Sequence, residues 1–282
     1  MVKTIYLLAI SSIFLFPSMQ QETIKPSESG YAPVNGLNMY YEIYGEGDMP
    51  LVLIHGGGST IQSNFANIIL LWAENRKVIA MELQAHGRTG DRENGVSFSQ
   101  DAKDVAALLK YLHVNKADIL GFSNGGNTAM KTAMEYPEII NKLVVASSFY
   151  RRDGLLPGFF DGMRNATLEN MPEPLKKAYL EVNPDERGLQ NMHDKDKERM
   201  LRFTDWKDED LTNIKAPTLF LAADRDVVLP EHSLKMSQMV PGSRLLILPG
   251  NHGSYLGEIC TEPTEQKSIR ATALLVQEFL DR

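Results

Sequence analysis

A series of short, uninterrupted apolar runs most tightly limits what this chain can fold into. Leu51-Val52-Leu53-Ile54, Val78-Ile79-Ala80-Met81, Ile119-Leu120, Leu143-Val144-Val145-Ala146, Thr218-Leu219-Phe220-Leu221 and Leu245-Leu246-Ile247-Leu248 carry no charge. A strand with one wet face alternates apolar and polar residues, whereas a strand that is apolar throughout has to be covered on both faces. Between the runs lie apolar stripes at helical spacing: Val105, Leu108, Leu109 and Leu112, and later Ile269, Ala273, Val276 and Leu280. Strands alternating with helices predict an α/β fold, a mostly parallel central sheet with helices on both faces.

One stretch breaks the alternation. Between Ser147 and Pro217 roughly seventy residues hold no convincing strand, and an unstructured loop of that length is unusual in a compact domain. Leu175, Ala178, Tyr179 and Val182 suggest one short helix, and Met200, Phe203 and Trp206 another. Pro157, Pro172, Pro174 and Pro184 cut the stretch into pieces. A small helical cap over 149–212 is expected, inserted between two parts of a core at 34–148 and 213–282. The 282 residues suffice for one domain with such an insertion. Ahead of the core, 21–33 is polar and reads as a linker, and Tyr31 to Tyr44 reads as a hairpin turning at Asn35-Gly36. At the start, Lys3 precedes the apolar run Ile5 to Phe16, which is short for a bilayer crossing. A positive start with a short apolar core is the pattern of a signal peptide, so 1–20 is expected to be removed and the product exported, to a periplasm or the outside, without stable membrane insertion.

Composition removes several function classes. A formal charge of −7 gives no attractive surface for phosphate backbones, so nucleic acid is not an expected partner. Cys260 is the single cysteine, which excludes an intramolecular disulfide and a thiolate-rich metal site. His193, Asp194 and Asp196 alternate with Lys195 and Lys197, a pattern read as a solvated charged face, and no metal is expected. Gly56 to Gly58 lack the spaced glycines of dinucleotide binding, and no cofactor is expected.

The chemistry is concentrated in Gly121-Phe122-Ser123-Asn124-Gly125, which joins the run at Ile119 to a helical segment. A strand that turns sharply into a helix while pushing one side chain outward needs neighbours without Cβ atoms, and Gly121 and Gly125 supply them. Ser123 is thereby offered as a nucleophile beside the free N–H groups of a helix start. Its proton requires a base on a loop after a late strand, and His252 in Pro249-Gly250-Asn251-His252-Gly253 meets that need. Two aspartates follow the run at Thr218, Asp224 and Asp226, and either can orient the imidazole.

From about Val34 to Leu280 these motifs resemble the α/β-hydrolase superfamily, in its small cap-bearing serine esterase-like branch. The resemblance implies the chain order nucleophile, acid, histidine. It implies Asp226 as the acid, since the second aspartate of such a pair, before an apolar residue and a proline, usually holds the imidazole. It also implies that His55-Gly56-Gly57-Gly58 forms an oxyanion hole, with the backbone N–H of Gly57 and that of Asn124 as donors, and gives His55 a supporting role. The segment Glu82 to Thr89 departs from the family pattern at Glu82, Ala85 and Thr89, and His86 and Arg88 are expected to tie that loop down.

These readings predict a serine hydrolase that cleaves a carboxylic ester of a small or medium organic substrate through an acyl-enzyme. A carbon–carbon bond hydrolase, a lactonase, a thioesterase or a cofactor-free perhydrolase-like enzyme works on the same triad, and a non-catalytic ligand-binding relic keeps the same shell. Relatives with an aspartate nucleophile are disfavoured by Ser123. In the cap, Leu155, Leu156, Phe159, Phe160 and Met163 either line a substrate pocket or form the cap's own core.

Overall fold

The computed structural model describes residues 25–93, 95–261 and 266–282. The expected signal segment, 1–20, lies outside them. Strands β1 (Glu28–Val34) and β2 (Leu37–Tyr44) form an antiparallel hairpin whose register runs from Val34 opposite Leu37 to Glu28 opposite Ile43. Asn35 and Gly36 both have positive φ, 46° and 83°, as a two-residue turn matched to strand twist requires. The linker expected over 21–33 is therefore corrected: from Glu28 onward it is strand. An edge strand needs few apolar residues, and here Ala32 and Val34 alone are buried; Pro33 is tolerated because only one side of the strand is paired.

The core then alternates as its apolar runs require. Strand β3 (Leu51–Ile54) leads to α1 (Ile61–Phe65) and α2 (Ile69–Ala73), β4 (Val78–Met81) to α3 (Phe98–Tyr111), and β5 (Ala117–Phe122) to α4 (Asn124–Glu135) and β6 (Ile140–Ala146). Four helices follow without a strand: α5 (Phe159–Arg164), α6 (Glu173–Val182), α7 (Glu186–Arg202) and α8 (Asp208–Thr212). The chain returns through β7 (Thr218–Arg225), α9 (Pro230–Met239), β8 (Arg244–Asn251) and α10 (Gln266–Asp281). The eight strands lie in the order β1-β2-β4-β3-β5-β6-β7-β8, parallel from β4 to β8 with the hairpin antiparallel at one edge.

The alternating pleat divides each apolar run between two cores. Val52, Ile54, Ile119, Leu143, Val145 and Phe220 pack against Val105, Leu108 and Leu109 of α3, Met130 of α4 and Met236 of α9. Leu51, Leu53, Leu120, Val144, Leu219 and Leu221 face the other way, against Phe65 of α1, Trp72 of α2 and Ile269, Val276 and Leu280 of α10. Each such side chain, fully buried, contributes roughly 1.5–3 kcal/mol, so the sheet is the rigid part of the molecule.

In the cap, the stripe expected at Met200, Phe203 and Trp206 is only partly helical, because α7 ends at Arg202 and Phe203 turns into extended backbone. Phe203 and Trp206 instead make edge contacts with Phe98, and Phe203 another with Phe149, a small aromatic cluster that seats the cap on the core. His232 is buried in α9, stacked on Tyr150, and its Nε2 accepts the Tyr150 N–H at 3.3 Å.

Candidate active site

Four neighbouring strands end at one side of the sheet, and the residue just beyond each of β5, β6, β7 and β8 enters the same small volume: Ser123, Ser147, Asp226 and His252. Ser123 has φ 53° and ψ −122°, a conformation that L residues rarely hold, and the glycines around it show what enforces it. A Cβ on Gly121 would lie 2.0 Å from the Gly125 carbonyl oxygen, and one on Gly125 2.2 Å from that of Ile54. With no larger residue admissible at either side, the turn closes tightly and Oγ stands clear of the helix it begins.

His252 Nε2 lies 3.1 Å from Ser123 Oγ, and its Nδ1 lies 2.6 Å from Asp226 Oδ1. The imidazole leans on the Phe122 ring, centroids 4.7 Å apart. Asp226 is buried, and its oxygens accept the backbone N–H groups of Ala223 and Val228, each at 3.2 Å, and the hydroxyl of Ser147. Burial pushes this carboxyl up, but the hydrogen bonds from His252 and Ser147 outweigh it and hold the group below the usual carboxylate range. Asp224 stays outside this arrangement; its Oδ1 accepts the Gly250 N–H at 2.8 Å and stabilises the turn that carries His252.

Ser147 and Tyr255 escape sequence reasoning. Tyr255 Oη is 2.6 Å from Ser147 Oγ, so a buried relay runs from Tyr255 through Ser147 to Asp226. No motif marks either residue. The one available signal is that Ser147 directly follows an apolar strand run, the position Ser123 occupies after β5.

Opposite the serine, Gly57 follows β3 and Asn124 opens α4. Among the described residues, neither backbone N–H has an acceptor. Both residues line the chamber above Ser123. His55 is fully buried beneath: Nδ1 lies 2.7 Å from the Gly56 carbonyl and Nε2 accepts the Leu83 N–H at 3.0 Å. Burial pushes its pKa down to about 3, so the ring is neutral and braces the loop. Arg88 binds Glu82 through both its guanidinium and its backbone N–H, fixing the adjoining loop.

The chamber under the cap has a volume of about 350 Å³, with Ser123 and His252 in its wall. Phe149, Leu155, Phe159, Met163, Met171, Leu175, Met200 and Val228 make it chiefly apolar, and His193 and Lys197 of α7 add two basic groups. Of the five apolar cap residues singled out from sequence, Leu155, Phe159 and Met163 line this chamber. Leu156 is exposed, and Phe160 packs on Phe159 and under the Arg152 guanidinium. On the other side of Ser123 and His252 a second, more polar lobe opens, walled by Asn251, Glu258, Cys260 and Thr261.

The segment 193–197 corrects the expectation of a solvated face. His193 and Lys197 look into the chamber, and Asp196 is buried, with Oδ2 2.7 Å from the Gly58 nitrogen and 2.9 Å from His86 Nε2. Burial raises the Asp196 carboxyl, but His86 and Arg199 pull it far below its ordinary value. Among the described residues, no three His, Cys, Asp or Glu side chains gather as a metal ion would require.

A family model described as alpha/beta hydrolase fold matches residues 49–181. The chain is 28% identical over 246 residues to the serine hydrolase BPHL of Mus musculus, covering 81% of each protein. It is 26% identical to a 2-hydroxy-6-oxo-2,4-heptadienoate hydrolase of Pseudomonas putida, covering 70% of this chain and 79% of that one. In fold it resembles a meta-cleavage product hydrolase from Pseudomonas fluorescens, with a TM-score of 0.71 at 22% identity, covering 91% of this chain and 98% of the other.

Proposed function

We propose that this chain is a cap-bearing serine hydrolase of the α/β-hydrolase superfamily, and that it hydrolyses a bond beside the carbonyl of a small, two-sided organic substrate. The carbon–carbon bond of a vinylogous diketone bearing a carboxylate is the favoured target. The observation that carries the chemistry is the unbroken line from Asp226 through His252 to Ser123, with contacts of 2.6 and 3.1 Å, in a chamber also lined by Gly57 and Asn124, whose backbone N–H groups meet no acceptor among the described residues.

In this reading Ser123 Oγ attacks the carbonyl while His252 Nε2 takes its proton, and Asp226 holds the tautomer and offsets the imidazolium charge. The tetrahedral oxyanion is received by the N–H groups of Gly57 and Asn124, already in position before charge develops. Collapse breaks the bond to the leaving group, which takes the proton from His252; water, activated by the same ring, then releases the acyl group from Ser123. A carbon leaving group departs as a conjugated enolate, which needs both a proton donor beside it and shelter from bulk water, and the cap encloses the site accordingly.

Support for the carbon–carbon target comes from the likeness to a dienoate hydrolase and a meta-cleavage product hydrolase. It also comes from His193 and Lys197, two basic groups in a chiefly apolar wall, where a substrate carboxylate would add to their present contacts with Asp194 and the Ala166 carbonyl. A second reading, cleavage of an ester or lactone, is favoured by the polar lobe beside His252, which suits an oxygen-bearing leaving group. A kinetic panel of a vinylogous diketone acid, alkyl esters, lactones and thioesters decides between them through kcat/KM. Covalent labelling by a fluorophosphonate, lost in Ser123→Ala, tests the nucleophile; turnover by purified S123A near that of the unaltered enzyme would reject the whole scheme.

A further inference from the structure

We infer that Asp196, a carboxylate carried by the cap, is a positioning residue for the oxyanion hole, so that the hole is complete only when α7 is docked. The inference rests on the serine-hydrolase reading above and concerns how its anion-binding loop is held. Gly56-Gly57-Gly58 is a run of three glycines, the backbone with the most freedom to move, and Gly58 sits at φ +68°. A donor that must be rigid before charge develops cannot rely on such a segment unless it is tethered from outside.

Two side chains supply the tethers, one on each side of Gly57. The Gly56 N–H donates to Asn64 Oδ1 at 2.6 Å, from α1 in the core, and the Gly58 N–H donates to Asp196 Oδ2 at 2.7 Å, from α7 in the cap. Among the described residues, the N–H between them, that of Gly57, meets no acceptor. There is no slack to spare, since a Cβ at Gly57 would fall 2.6 Å from Asn124 Nδ2 and 3.0 Å from Asp196 Oδ2.

Asp196 is itself held from several directions. His86 Nε2 lies 2.9 Å from Oδ2, Arg199 Nη2 2.7 Å from Oδ1, and Arg199 Nη1 reaches Asp101 Oδ2 on α3 at 2.5 Å. Asp101, Arg199 and His86 are all buried, so the chain of contacts runs from the core helix through the cap to the glycine loop without passing through water. Electrostatics alone argue against this placement, because a carboxylate near a developing oxyanion opposes it. A negative group tolerated there has to serve geometry, with Arg199 and His86 offsetting its charge.

The two views give opposite signs for one substitution. Asp196→Asn removes the opposing charge, so a purely electrostatic account expects equal or faster turnover. Positioning expects a loss of about tenfold in kcat for D196N, whose amide oxygen still accepts the Gly58 N–H, and about 10²-fold for D196A, with KM within about threefold. Turnover of p-nitrophenyl butyrate is measured per active site, counted by the fluorophosphonate burst, so that partly unfolded protein does not enter the rate. Affinity for an alkyl boronic acid, which imitates the tetrahedral species, should fall in step with kcat. D196N turning over at or above the rate of the unaltered enzyme per titrated site overturns the inference, and this isosteric variant decides the matter if D196A does not fold. Retained activity in S123A would instead bring down the underlying mechanism.

Discussion

Removing the Ser147 hydroxyl should separate the cost of supporting Asp226 from the cost of the acid itself. In the folded protein Tyr255 donates to Ser147 Oγ and Ser147 donates to Asp226, with all three residues at most 3% exposed. Ser147→Ala therefore does two things. It deletes a hydrogen bond to a charged acceptor, worth about 1.5–3 kcal/mol, and it leaves the buried Tyr255 hydroxyl without a partner, about 1–3 kcal/mol more. The expected loss of unfolding free energy near neutral pH is about 3–5 kcal/mol. Tyr255→Phe alone should cost only about 0.5–1.5 kcal/mol, and the double variant should be more stable than S147A by about 1–2 kcal/mol, because the orphaned hydroxyl is gone. The pH dependence has a definite sign. Asp226 is held below its ordinary value, so its contribution is full above about 3.9 and is lost as the pH falls through the folded value. The S147A penalty should thus be constant above about pH 5 and shrink below about pH 4. Urea unfolding across that range measures it; S147A with unaltered stability at pH 7, or a double variant less stable than S147A, would refute the relay.

Gly57→Ala should lower kcat by about 10²–10³ with little change in KM, since its Cβ would fall 2.6 Å from Asn124 Nδ2 and shift one oxyanion donor; burst-normalised kinetics check it. His55, held to about 3 by burial against an ordinary value near 6.5, resists a proton that the unfolded chain accepts. Stability should therefore be full above about pH 6.5 and decline toward pH 3, and His55→Gln should flatten that slope in urea titrations at pH 7.5 and 5. N-terminal sequencing of protein from its native host is expected to begin near Gln20; recovery of Met1 or Val2 would count against export.

The sheet was open to reading because burial on both faces leaves an unmistakable trace, an apolar run such as Leu143 to Ala146. Ser123 and His252 were legible for a different reason: each needs glycines around it to reach out from a strand end, and glycine at those spacings is visible in one dimension. Ser147 and Tyr255 had no such marker. Their partner Asp226 is remote in sequence, and a lone serine or tyrosine looks the same whether it supports a carboxylate or caps a turn. The charged segment of α7 misled because Asp196 and Arg199 neutralise one another and their neighbours, which lets them be buried while the composition stays that of a wet surface. The hairpin from Tyr31 onward was legible in its Asn35-Gly36 turn, but the start of strand β1, Glu28 to Gly30, was hidden by its edge position, where backbone pairing with β2 replaces apolar content.

The cap departs after Ala146 and the chain rejoins the sheet at Thr218, on strands that lie side by side, so both ends of the excursion are pinned by the same ladder. Closing a longer or shorter excursion between fixed anchors changes the free energy only slowly, by about 0.6 kcal/mol per doubling of length. The lid is thus a module that could be exchanged for one of another size without disturbing the strands beneath. A transplanted lid would keep the anion pocket taut only if it brought a carboxylate to the spot now filled by residue 196; otherwise it would enclose a new substrate over a slackened anion pocket.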